Sequence, residues 1–117
     1  MGYRPSLVTE PRNYGEQISG FNYNTNEFMA LLDDLFELEY YISDHQENFY
    51  EIENSEVEKL KEFDISSKDD EIAKIAIYFG KSAEYVKDLA TSLQKSLLRG
   101  LETEYSKKLD FVAIEWF

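Results

Sequence analysis

Cysteine is absent from this sequence. That removes disulfide bonds, thiolate metal sites and cysteine nucleophiles from consideration, and it fits a chain kept in the cytoplasm. Histidine occurs once, at position 45. There is no G-x-S-x-G elbow, no glycine-rich phosphate loop and no E-x-x-H pair for a di-iron centre. No EF-hand loop is present either. The expectation is a protein that is not an enzyme and carries no cofactor and no metal. No apolar run reaches the roughly 18 residues of a membrane-spanning helix, and the opening MGYRPSLV lacks the layout of a signal peptide.

The most informative absence is local. Residues 13–58 contain no Lys or Arg but hold 12 carboxylates. The rest of the chain holds the other 12 of the 24 carboxylates together with all 12 cations. The whole net charge of −12 therefore belongs to one contiguous segment. Such a charge opposes direct binding to nucleic acid or anionic membrane. It favours a basic protein partner, or solubility alone.

Against these absences, 43% of the residues are hydrophobic, with nine Tyr and eight Phe. At 117 residues that supports a single domain, 1–117, with a substantial core. YRPSLVTE and EQISGFNY read as two short strands joined through PRNYG, with Pro5 and Pro11 at an edge or strand end. Asn24 and Glu27 form a capping-box pattern. They open a long predicted helix with Phe28, Leu31, Leu35, Leu38, Ile42, His45, Phe49 and Ile52 on one stripe. His45 is expected at the core edge, bonded through a ring nitrogen.

SEVEKLKEF then reads as a short amphipathic helix or turn. Ser67 is expected to cap a helix that carries Ile72, Ile75, Ala76 and Phe79 and stops at Gly80. Ser82 opens another with Val86, Leu89, Leu93, Leu97, Leu101 and Tyr105 on one face, weakened by Gly100 at about 1 kcal/mol relative to Ala. LDFVAIEWF reads as a strand buried on both faces. The fold class expected is α+β, with a small antiparallel sheet (two N-terminal strands plus the C-terminal strand) packed against three or four helices.

On the long predicted helix, Asp33, Glu37, Asp44, Glu47 and Glu51 line up opposite the apolar stripe, and Tyr40 fills the gap. The ridge would run about 27 Å, with charges ~5–6 Å apart, near the spacing of a nucleic-acid backbone. Like charges at i and i+4 cost a few tenths of a kcal/mol each. The ridge is either a solvated face or a surface that competes with nucleic acid for a basic groove. Tyrosine suits interfaces, which makes Tyr40 part of the candidate surface.

Two resemblances bear on function. EIAKIAIYFGKSAEYVKDL, residues 71–89, resembles a DNA-binding helix-turn-helix, with Gly80 at the turn and Val86 and Leu89 facing back. It departs from that pattern at Lys81 and in the acidic Glu84 and Asp88 of the reading helix. In size and charge layout the whole chain resembles accessory proteins of phages and other mobile elements, the anti-CRISPR and antirestriction inhibitors. That resemblance implies a stoichiometric, DNA-mimic-like inhibitor. Asp33, Glu37, Tyr40, Asp44, Glu47 and Glu51 would then occupy the nucleic-acid-binding surface of a basic host protein. A small transcriptional regulator acting through residues 71–89 stays open, as does a structural or assembly protein of a phage or mobile element, an oligomer joined through the aromatic strand DFVAIEWF.

Overall fold

A computed structural model describes the chain over residues 2–10, 13–43 and 48–117. The strands are β1 (Pro5–Glu10), β2 (Asn13–Gln17), β3 (Tyr41–Ile42), β4 (Phe49–Glu53) and β5 (Phe111–Trp116). The helices are α1 (Thr25–Ala30), α2 (Asn54–Glu58), α3 (Asp69–Phe79), α4 (Ala83–Gly100) and α5 (Glu104–Leu109). The fold is α+β, as expected. Its sheet is larger than expected, because β4 and β3 extend it beyond the N- and C-terminal strands to the order β2-β1-β5-β4-β3. All neighbours are antiparallel.

The main core lies between the sheet and the helices. Trp116, Phe28 and Phe21 are fully buried there, with Phe28 edge-on to both of the others at 5.3 and 5.2 Å. β5 is buried on both faces, as its sequence suggests. Val112, Ile114 and Trp116 face the main core, while Ala113 joins Val8 and Tyr105 in a smaller cluster under α5. Pro5 sits at the first position of β1, where its missing N–H matters least; Pro11 lies outside the described residues.

The second half follows its helical period closely. α3 ends at Gly80 with φ +66°, and Lys81 N–H donates to the Ala76 carbonyl at 2.9 Å, closing a Schellman turn. Ser82 caps α4 by accepting from Tyr85 N–H at 3.1 Å. Two boundaries differ. α3 starts at Asp69 and not at a Ser67 cap, because the Ser67 hydroxyl donates to the Asp64 carbonyl at 2.7 Å in a preceding 3-10 turn. The stripe expected to continue through Leu101 and Tyr105 breaks at Gly100, and Thr103 caps a separate α5. A Cβ on Gly100 would lie 2.6 Å from Val112 Cγ1 and 3.3 Å from Leu7 Cδ2. The residue that weakens the helix thus lets α4 lie directly against β5 and β1.

The long helix expected from Asn24 to Ile52 is the main correction. Among the described residues of that stretch, the chain is helical only from Thr25 to Leu35, the last five residues forming a wider π turn. Phe36 N–H then bonds back to the Leu31 carbonyl and Leu38 N–H to the Leu32 carbonyl, each at 2.9 Å. Glu37 turns the chain out with φ +53°, and it emerges as β3 and later β4. A continued helix would have stacked like charges with no cation to relieve them. As a strand, Phe49–Glu53 instead buries Tyr50 and Ile52 at a period of two against the core.

The aromatic strand DFVAIEWF lies inside the sheet. β5 is bonded on both sides, to β1 and β4. It has no free backbone edge on which another chain could pair.

Candidate functional site

The acidic segment is built with almost no help from cations, and tyrosine hydroxyls take their place. Tyr40 donates to Asp33 Oδ2 at 3.3 Å, Tyr85 to Glu27 Oε2 at 3.2 Å, and Tyr105 to Glu51 Oε2 at 3.0 Å. In each case burial, reinforced by the neighbouring carboxylate, raises the phenol above its ordinary value; for Tyr105 it is pushed up to about 12. These phenols stay protonated as donors over the whole neutral range. Tyr40 also stacks on Tyr50, with centroids 5.8 Å apart. Glu56 accepts from Glu39 N–H at 2.9 Å and pairs with Lys59, and these two contacts lower its carboxyl from the usual range.

This arrangement divides the predicted ridge. Asp33 and Tyr40 are brought together by their hydrogen bond. Glu37 is exposed at the turn that ends the helical stretch. Glu51 alternates with the core-facing Tyr50 and Ile52, so it points to the α5 face of the sheet, where Tyr105 holds it. Asp44, Glu47 and His45 lie outside the described residues. A straight line of charges along one helix does not exist, because no single helix carries these residues.

In its place the structure forms a broader acidic edge around Asp33. An open groove of about 710 Å³ runs between the α1–π-turn segment and α3. Met29, Ala30, Ile75 and Phe79 line it with apolar surface, and Asp33, Asp34 and Glu71 add carboxylates beside Lys74, the one cation among its described lining residues. A second hollow of about 570 Å³ is bounded by Asp33, Leu38, Glu39, Tyr40, Tyr41 and Ile42. Asp33 is the wall between the two. Asp33, Asp34, Glu37 and Glu39 are all exposed, and the carboxylates of Asp34 and Glu37 make no ion pair among the described residues.

Beside the groove, α3 leaves Ile77 and Tyr78 more than 80% exposed. Sequence reasoning had left out these two residues, along with Asp34, Glu39, Glu71 and Met29. Ile77 and Tyr78 did carry a signal: they are large apolar side chains that fall off the Ile72–Ile75–Ala76–Phe79 stripe.

The helix-turn-helix corner exists as two packed helices around Gly80. Its outward residues Ala83, Glu84, Lys87 and Asp88 are exposed and mixed in charge, and Lys81 lies over the Tyr85 ring at 5.3 Å. Among the described residues no group of His, Asp or Glu is placed to hold a metal ion, and no helix is long and apolar enough to cross a membrane. The chain matches no family model, no curated protein and no solved structure.

Proposed function

We propose that the chain is a stoichiometric, non-catalytic binding protein whose acidic edge engages a basic, nucleic-acid-binding surface of a host protein, in the manner of the inhibitors encoded by phages and other mobile elements. One observation carries this reading. Asp33, Asp34, Glu37 and Glu39 project into solvent from one short connection, within a segment that has no cation of its own. Asp33, Glu27 and Glu51 accept from tyrosine hydroxyls and Glu56 pairs with Lys59, whereas the carboxylates of Asp34 and Glu37 make no ion pair among the described residues. An exposed set of one sign steers a cationic partner and gives salt-sensitive affinity.

The competition with nucleic acid rests on charge and not on a regular phosphate-like spacing, since the helical ridge is absent. The test is capture of proteins from a bacterial lysate at ~50 and ~500 mM salt. The bait is the wild-type chain or an Asp33→Asn, Asp34→Asn, Glu37→Gln, Glu39→Gln variant. The expected result is a basic nucleic-acid-binding protein retained by wild type at low salt, released by added duplex DNA or RNA and lost with the variant. Retention of the same proteins by the variant would overturn the proposal.

A further inference from the structure

We infer that the groove between α1 and α3 receives an amphipathic helix of the partner, one whose apolar stripe is flanked by Lys or Arg. The inference rests on the binding role proposed above and specifies the form of the partner.

Three features of the groove point to this occupant. Its walls are the helical stretches Thr25–Leu35 and Asp69–Phe79, whose backbone groups are bonded internally. An extended peptide laid there finds no strand edge to pair with, so its own N–H and C=O groups lose water without gaining partners. A helix brings its backbone already satisfied and presents only side chains.

The lining matches such side chains. Met29, Ala30, Ile75 and Phe79 offer apolar contact, and Tyr78, 82% exposed, stands beside them as an aromatic anchor. Exposed aromatics of this kind are favoured as binding hot spots. The charge is complementary to a basic helix: among the described lining residues, Asp33, Asp34 and Glu71 face one cation, Lys74. A small-molecule ligand fits less well, because the polar groups lining the groove are mostly exposed side chains. Nothing buried is aimed inward to orient a ligand.

The probe is a peptide of about 18 Leu and Lys residues patterned at the helical period, compared with an isomer of the same composition and no amphipathic pattern. Titrations are read by the ring signals of Tyr78 and the methyl signal of Met29. The patterned peptide should bind at least about tenfold more tightly than its isomer at ~50 mM salt and shift both signals. Tyr78→Ala should weaken it severalfold, and Lys74→Glu should tighten it.

Equal binding of both peptides with no effect of Tyr78→Ala, but loss on Asp33→Asn with Asp34→Asn, would overturn the groove inference and leave the charged-edge proposal standing. Binding unaffected by either set of replacements, or no binding at all, would count against both. If the chain self-associates through Tyr78, seen as a dimer that Tyr78→Ala dissolves, the groove belongs to a second copy and the inference fails.

Discussion

Residues 13–58 and 59–117 belong to one core but are held together differently. The second half uses regular amphipathic helices with standard ends: Gly80 in the left-handed region and side-chain caps at Ser82 and Thr103. Its charges are mixed along each helix. The first half uses two short helices, a π turn, two-residue and five-residue strands, and tyrosine hydroxyls aimed at carboxylates. Two of those tyrosines, Tyr85 and Tyr105, reach across from the second half. A segment that excludes cations can still be anchored, provided that neutral donors and buried aromatics do the anchoring. Its surplus carboxylates then remain outside the fold's own network.

If the acidic half were only draped on the helices, removing its central ring would leave the rest intact. Phe28→Ala tests this most severely. Phe28 is fully buried and meets Phe21, Tyr50 and Trp116, so the loss should be about 3–5 kcal/mol. Fluorescence of Trp116 and far-ultraviolet circular dichroism should report one coincident urea transition. Separate transitions would show that the two halves are independent.

Gly100→Ala should have the next largest effect. The helix-propensity gain of about 1 kcal/mol is opposed by a Cβ forced against Val112 and Leu7. A net destabilisation of about 1–2 kcal/mol is expected from overpacking, readable as a lower urea midpoint.

The Tyr105–Glu51 bond between α5 and β4 tests the smallest term. Tyr105→Phe should cost about 1 kcal/mol near neutrality. Because burial and Glu51 raise the folded-state phenol from 10 to about 12, its contribution is intact below pH 10. It is lost as pH climbs through about 12. Alkaline unfolding followed by tyrosinate absorbance should show a smaller fall over that window in the variant than in wild type.

How much of this was legible in the sequence follows the same division. The caps at Gly80 and Ser82, the apolar period of α3 and α4 and the doubly buried β5 were all readable, because local propensity and tertiary packing agree there. The acidic half misled because its aromatics satisfy two periods. Phe28, Leu31, Leu35, Leu38, Ile42, His45, Phe49 and Ile52 recur at three and four in the sequence. Yet Tyr50 and Ile52 also alternate with Phe49 and Glu51 as a strand must. Like-charge repulsion along a helix and the open flank of β5 decide for the strand, and only the second of these needs the tertiary structure. Of the candidate surface, Asp33 and Tyr40 survive as a bonded pair. The groove was invisible because it exists only once α1 lies against α3.

The exposed carboxylates of Asp34, Glu37 and Glu39 are not needed by the fold. The most direct measurement is the urea-unfolding free energy of Asp34→Asn, Glu37→Gln, Glu39→Gln against wild type at ~50 and ~500 mM salt. The variant should be at least as stable as wild type at low salt, with any gain vanishing at high salt as repulsion is screened. A loss of more than about 1 kcal/mol at both salts would contradict it, because those carboxylates would then be holding the protein together.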